Sequence, residues 1–358
     1  MSEKSPLREL TFAEAIREGT ALCLARDPRA FVIGLGVPDP KGIFGTTAGL
    51  AAEFGADRAL DVPLSENALT GLVIGAALGG MRPILTHQRV DFALLSLEQI
   101  VNQAAKWYYM FDGRGGTVPI VIRMIIGRGW GQGPQHAQSL SSWFAHIPGL
   151  KVVVPASPAD AKGLLVASVE DDNPVIFLEH RWLHNMRGPV PEGYHRTPLG
   201  KCLVARNGSD VTVVASSHMV IEALRAADFA SANAGLEMEV VDMRCLNPLD
   251  FETIANSVKK TRGLVVADDD TRQCGFAAEI VARVTEAGLK LKAPPARVTY
   301  PDCASPSSAA LAAAYYPAAP DLFLAAARIV GRGADLVGKF PKRPCPVDVP
   351  HLEFPGPF

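Results

Sequence analysis

The chain has no C-x-x-C pair, no phosphate-cradling G-x-x-x-x-G-K-[ST] loop and no apolar stretch approaching the roughly 20 residues that span a bilayer. Each absence removes a class of function. Six scattered cysteines, Cys23, Cys202, Cys245, Cys274, Cys303 and Cys345, fit buried thiols better than a zinc centre or a disulfide framework. Gly34-Leu35-Gly36 opens like a dinucleotide loop, but Asp39 stands where the third glycine belongs, which disfavours a nucleotide enzyme. Neither sign of charge dominates: 35 Lys and Arg oppose 37 Asp and Glu, for a net charge of -2. No electrostatic footprint for nucleic acid or an anionic membrane follows. The N-terminus MSEKSPLREL lacks the apolar region of a secretory signal, so a soluble cytoplasmic protein is expected.

What is present is an ordinary globular balance, 48% hydrophobic and 20% charged over 358 residues, enough for about two domains. Thr11-Phe12-Ala13-Glu14 reads as a capping box opening a helix that runs to about Arg26, and a buried strand follows at 31–35. The periodicity then predicts helix 67–80, strand 83–87, helix 95–111, strand 118–124, strand 151–154, helix 157–169 and strand 175–178. Alternation of this kind argues for a mostly parallel sheet with helices on both faces. From 184 to 209 Pro, Gly and polar residues crowd without a sustained period, and the linker is placed at 191–209. A second series follows: strand 211–215, helix 218–233, strand 238–242, helix 250–259, strand 263–267, helix 275–287 and strand 296–299. The expectation is α/β, two domains at 1–190 and 210–336, with a Pro-rich tail at 337–358 lying as an extended arm.

Glu66, in PLSENALTG, sits between an apolar segment and the largely apolar run from Leu69 to Met81. A carboxylate there is costly to ionise unless a donor holds it, which makes it a chemical candidate. The alternative is that Ser65-Glu66-Asn67 only caps the helix, and the segment alone leaves both open. The glycine-rich run from Gly127 to His136 follows a strand, where loops of parallel sheets meet ligands. His136 suits a general acid or base near neutral pH, and equally an exposed loop histidine. His87 and Arg89, with Arg123 and Arg128, have the chemistry of an anionic-substrate pocket, or of ordinary surface charges. Phe92 is a helix-packing aromatic or a platform for a flat heterocycle. His146, His180 and His218 read as structural, and Asp268-Asp269-Asp270 as a solvated loop.

These residues combine with LEQIVNQAAKWYYM, with QHAQSLSSWFAHIPGLKVVVPASPADAKGLL, with DDNPVIFLEH and, in the second half, with VVDMRCLNPLD, QCGFAAEI and SSAALAAAYYP. From about residue 8 to 332 the chain resembles the beta subunits of thiamine-diphosphate-dependent 2-oxoacid dehydrogenases, the pyruvate dehydrogenase E1 beta-like branch of the transketolase superfamily. The resemblance implies a pyrimidine-binding domain followed by a transketolase C-terminal domain. It implies that Glu66 hydrogen-bonds the aminopyrimidine ring and biases its tautomer, that Phe92 packs on that ring, and that His136 is the active-site histidine. It further implies a structural potassium ion on backbone oxygens of Ile120, Ser168, Val169, Asp171 and Asn173.

The superfamily holds the diphosphate and its magnesium with a G-D-G motif, and none occurs here; Asp112-Gly113 follows Phe111. The resemblance therefore implies an alpha-type partner that completes the cofactor site in an alpha2beta2 heterotetramer, and possible service to a lipoyl acyltransferase. Two departures stand out. Leu35 replaces an acid usual in the family, and His87 and Arg89 sit in a segment that is normally aromatic-rich. The basic His87 and Arg89 point to a larger or more anionic 2-oxoacid or a ketose as substrate, with His87, Arg89 and Arg128 as contacts. The expected activity is decarboxylation of a 2-oxoacid with transfer of the acyl or aldehyde unit. A split transketolase-like ketol transferase and a non-catalytic scaffold or regulatory subunit are the alternatives.

Overall fold

The computed structural model describes residues 7–128, 131–345 and 349. They form two compact units, one of residues up to 126 together with 143–199, the other of 127–142 together with residues from 200 onward. Chain order in the first unit is β1 (Leu7–Thr11), α1 (Phe12–Arg26), β2 (Ala30–Ile33), α2 (Leu50–Phe54), β3 (Ala59–Leu60), α3 (Glu66–Leu78), β4 (Arg82–His87), α4 (Val90–Ala93), α5 (Trp107–Met110) and β5 (Val121–Ile126). Then come α6 (Ser141–Ala145), β6 (Lys151–Val153), α7 (Pro158–Glu170), β7 (Val175–His180) and β8 (Arg187–Pro191).

Six of these strands run parallel in the order β6-β7-β5-β4-β2-β3. Their centre is buried on both faces: every residue of β2, β5 and β7 is buried, which explains mostly apolar segments (AFVI, VIRMII, VIFLEH) where an open sheet would alternate. The capping box at Thr11 forms as expected, with the Thr11 hydroxyl taking the Glu14 N–H and the Glu14 carboxylate taking the Thr11 N–H. Proline at the first turn and Ser157 at the cap start α7. The helix expected over 95–111 is instead broken into a 3-10 turn (Leu94–Ser96), a π-type segment Gln99–Ala104 and α5. In the middle the Ala105 N–H reaches back five residues to the Ile100 carbonyl, at 3.0 Å. Within the Pro- and Gly-rich region, Arg187–Pro191 is ordered as a strand because it pairs antiparallel with β1 and buries Gly188 and Val190.

The second unit holds β9 (Leu203–Arg206), β10 (Val211–Ala215), α8 (His218–Ala234), β11 (Met238–Asp242), β12 (Cys245–Asn247), α9 (Phe251–Thr261), β13 (Leu264–Thr271), α10 (Phe276–Glu286), β14 (Ala296–Tyr300), α11 (Ala309–Tyr315) and α12 (Ala319–Val330). Its sheet order is β14-β13-β10-β11-β9, parallel except for the antiparallel edge strand β9. The α/β architecture expected from the alternating pattern is therefore present in both units. Residues 334–339 make a 3-10 turn where an extended arm was expected to be under way. Most of that expected arm, 346–348 and 350–358, lies outside the described residues.

Candidate active site

At the carboxyl ends of β2 and β4 the first unit opens a cleft of about 40 Å³, lined among others by Leu35, Leu64, Glu66, Leu69, Leu85, Thr86, His87, Gln88 and Phe92. This is where parallel sheets place ligands. Two elements set its walls. Gly34 lies so close to β4 that an added Cβ would sit 2.4 Å from the Thr86 carbonyl oxygen, so only glycine lets the end of β2 press against β4. Beyond it, the Gln88 side-chain amide donates to the Leu35 carbonyl at 3.0 Å and ties the two strand-end loops together.

Glu66 is the first residue of α3 and is half-buried. Ser65 precedes it, but its side chain makes no capping hydrogen bond, so the Ser cap of the bland alternative does not form. The first turn still favours a negative charge at this place through its free N–H groups. Half-buried Phe92 and buried Leu85 give the cleft flat apolar walls beside that carboxylate.

His87 is 5% exposed, and burial pushes its pKa down to about 4, so it enters the cleft as an uncharged ring at neutral pH. Its Nε2 and the Thr86 hydroxyl oxygen are buried without a hydrogen-bond partner. Buried polar atoms are nearly always paired, and two orphans in one cleft are what a ligand carrying polar atoms would satisfy. A carboxylate, an aromatic, leucines and two orphaned polar atoms have the chemistry to line one edge of a flat, hydrogen-bonding heterocycle of the aminopyrimidine kind, although about 40 Å³ does not enclose the whole ring.

The other basic candidates lie elsewhere. Arg89 is buried near Arg181, whose pKa falls to about 9 through burial first and the Arg89 charge second; Arg181 itself stacks 4.2 Å over the Phe44 ring. Arg123 is fully buried and bidentate on Glu179, at 2.6 and 3.0 Å, with His184 Nε2 3.3 Å from the same carboxylate. Burial raises the Glu179 pKa, but Arg123 and His184 outweigh it and the net shift is downward. Arg123 is thus an internal ion pair and not an open anion contact. In the second unit Arg128 is 1% exposed, with its guanidinium 4.5 Å over the Tyr316 ring.

His136 also belongs to the second unit and is half-buried, its N–H donating to the Gly133 carbonyl at 3.3 Å. The glycine-rich run before it is shaped by Ser307: a Cβ on Gly131 would meet the Ser307 carbonyl oxygen at 2.7 Å, and one on Gly133 the Ser307 hydroxyl at 2.4 Å. Gly129 and Trp130 of that run lie outside the described residues. The structure therefore gathers Glu66, Phe92 and His87 in one cleft, while His136 and Arg128 stand in the second unit.

Asp268-Asp269-Asp270 is not a solvated loop. All three residues are buried at the end of β13, where partners invisible in the sequence receive them. Asp268 accepts the Ala277 N–H at the start of α10 (2.9 Å), Asp269 the Tyr300 hydroxyl (3.4 Å), and Asp270 the Ser142 hydroxyl (2.6 Å). Burial, then the Asp270 charge, pushes Asp268 up to about 7; burial likewise raises Asp269 to about 7 against the pull of Arg128. Nor are all the cysteines buried, since Cys274 and Cys303 are exposed.

Four of the five backbone oxygens expected to hold potassium, those of Ile120, Ser168, Val169 and Asp171, already serve the fold. Arg82 Nη1 donates to the carbonyls of Val169 and Asp171 at 2.9 and 3.0 Å. The Ile120 carbonyl takes the Val175 N–H at 2.9 Å, and the Ser168 carbonyl takes the Asp171 N–H at 3.3 Å. Asn173 donates to the Asp171 carboxylate through its backbone N–H and its side-chain amide, at 2.9 and 3.1 Å.

Sequence reasoning missed Thr86 and Gln88. Both leave the end of a buried strand beside His87, and that position was the one signal available. Among the described residues no helix is long and apolar enough to cross a membrane.

Known proteins resemble the chain over most of its length. Residues 8–186 match the transketolase pyrimidine-binding domain and residues 200–322 the transketolase C-terminal domain. Over 337 residues, 91% of this chain and 99% of the relative, the chain is 42% identical to the acetoin:2,6-dichlorophenolindophenol oxidoreductase subunit beta of Cupriavidus necator. It is 39% identical over 306 residues, 85% of this chain and 94% of the relative, to the pyruvate dehydrogenase E1 component subunit beta of Bacillus subtilis. Among solved structures, a split gene transketolase described as an inactive beta4 tetramer superposes with a TM-score of 0.71 at 22% identity, covering 90% of this chain and 98% of that one. That last likeness speaks to the fold. Two domain matches in tandem and identity near two-fifths over most of the chain lead to one conclusion: the chain belongs to the transketolase-superfamily E1 beta-type subunits, the family of the pyruvate dehydrogenase E1 beta and acetoin:2,6-dichlorophenolindophenol oxidoreductase beta chains.

Proposed function

We propose that this chain is the beta half of a thiamine-diphosphate-dependent enzyme that decarboxylates a 2-oxoacid and passes the acyl or aldehyde unit to an acceptor. The observation that carries the reading is the cleft that joins the Glu66 carboxylate, the Phe92 ring and two orphaned polar atoms. When bound, the cofactor supplies carbanion stabilisation that no side chain here can. Glu66 would accept a hydrogen bond from the pyrimidine ring, and in a poorly hydrated cleft one such bond is strong enough to favour a tautomer. Phe92 and Leu85 would orient the ring and keep water away. The Thr86 hydroxyl and neutral His87 would supply its remaining polar contacts.

An alpha-type subunit in an alpha2beta2 heterotetramer completes this reading, because no G-D-G motif is available to hold diphosphate and magnesium. His136 is its second catalytic group, and a lipoyl acyltransferase is a fitting acceptor. Potassium is assigned to the second lone pairs of the Ile120, Ser168, Val169, Asp171 and Asn173 carbonyls, with Arg82 already sharing two of them. An α-hydroxyketone is the second donor class. It is favoured by the uncharged His87 and by Leu35 at the cleft, neither of which offers a positive charge to a donor carboxylate.

The test reconstitutes the chain with its natural partner and compares Glu66→Gln with the wild type across 2-oxoacids and acetoin, with lipoamide or aldoses as acceptors. Loss of turnover with assembly intact is expected. Undiminished turnover by the variant refutes the assignment, and product formed only with aldoses replaces it by ketol transfer.

A further inference from the structure

Two exposed thiols, Cys274 and Cys303, line one cleft of the second unit. β13 and β14 run parallel with Thr271 facing Tyr300, and Cys274 and Cys303 each follow three residues after that pair. The residues just before them are joined, the Gln273 N–H donating to the Asp302 carboxylate at 2.6 Å. The loops are tied again by Arg272 and Arg297, each of whose guanidinium groups donates to the other's carbonyl, at 3.3 and 2.8 Å. Both cysteines are exposed, and both line one cleft of about 490 Å³ whose deeper wall includes Asp270 and Tyr300.

We propose that Cys274 and Cys303 form a vicinal dithiol, a redox modification site that a small disulfide of the oxidised-glutathione class converts to an intrachain disulfide. One cysteine thiolate attacks the oxidant's S–S bond, forming a mixed disulfide and releasing one thiolate. The other cysteine then attacks the mixed disulfide, forming the Cys274–Cys303 bond and releasing the second. Two protons leave the cysteines and are taken up by the two released thiolates; the chain loses two electrons and the oxidant gains them. The remaining cysteines are ill placed to compete. Cys23, Cys245 and Cys345 are buried, and burial pushes the Cys23 and Cys202 thiols up to about 12. The bridge would fasten the loop before α10 to the loop after β14 across a cleft that also borders the residues flanking His136. This inference stands apart from the cofactor reading.

The full-length chain is incubated with oxidised glutathione and mapped by non-reducing peptide mass spectrometry. The expected product is one cross-linked peptide pair joining Cys274 to Cys303, lighter by two hydrogens and restored by dithiothreitol. Cys274→Ser and Cys303→Ser should each keep a stable glutathione adduct on the remaining thiol. Phenylarsine oxide, which needs two neighbouring thiols, should protect both from alkylation in the wild type and neither in the single variants. Glutathione on both cysteines without a cross-link, a cross-link to any other cysteine, or no arsenical protection overturns the proposal.

Discussion

Replacing Glu179 by Gln tests the heart of the first unit. Arg123 on β5 and Glu179 on β7 are both 0% exposed, and two hydrogen bonds at 2.6 and 3.0 Å hold them together. Gln keeps the shape but removes the charge, leaving a guanidinium in an interior that cannot solvate it. Breaking a buried pair from one side costs about 3–5 kcal/mol. His184 would lose its contact with the same carboxylate and add to that loss. Removing both charges is different, because no uncompensated ion remains: Arg123→Met with Glu179→Leu should recover most of the stability. Urea unfolding followed by tryptophan fluorescence is the assay, since Trp107, Trp143 and Trp182, three of the four tryptophans, lie in the first unit. A cost below about 1 kcal/mol for Glu179→Gln, or a double variant as unstable as the sum of the single ones, would show that the pair is not the buried ion pair described.

Acid should weaken the first unit through His87. Its folded pKa near 4 lies below the free value of 6.5, so between those limits the unfolded chain binds more protons and stability falls as pH drops. The His87 share is about 3 kcal/mol, from about 1.4 kcal/mol per pKa unit, and His87→Leu should reduce the slope between pH 6.5 and 4, to which buried His184 also contributes; an unchanged slope refutes it. Gly34→Ala places a Cβ against the Thr86 carbonyl and should lower both thermal stability and cofactor affinity of the reconstituted enzyme, read by calorimetry; normal values for both would mean the strands move apart freely. Exchanging potassium for choline should lower the melting temperature, and more so in Arg82→Met, where the carbonyls of Val169 and Asp171 lose their guanidinium; insensitivity of both proteins removes the cation assignment.

The layered architecture was legible because the central strands are mostly apolar and α1, α7 and α9 open on a side-chain cap. Glu66 was found at the head of α3 for the same reason, although Ser65 does not cap it. What escaped was whatever depends on partners distant along the chain. Nothing in VPIVIR or FLEHRW announces that Arg123 and Glu179 meet across 56 residues. The Asp268–Asp270 triplet looked hydrated because its receivers, the Ala277 N–H, Tyr300 and Ser142, come from three other segments. Thr86 and Gln88 are ordinary residues whose significance is purely positional. The exposed thiols were misjudged because cysteine is usually buried, and only the register of β13 with β14 reveals that two of them share a cleft.

The path of the chain out of the first unit after residue 126 and back at 143 has a practical consequence. No single cut separates the halves cleanly. A fragment ending at 199 would carry the stretch with His136 stripped of Ser307 and Asp270, and one beginning at 200 would lack it altogether. Gene fusions, shuffled hybrids or protease-derived pieces that treat the two halves as beads on a string will each damage the other, so exchange between relatives must move the excursion together with the downstream half.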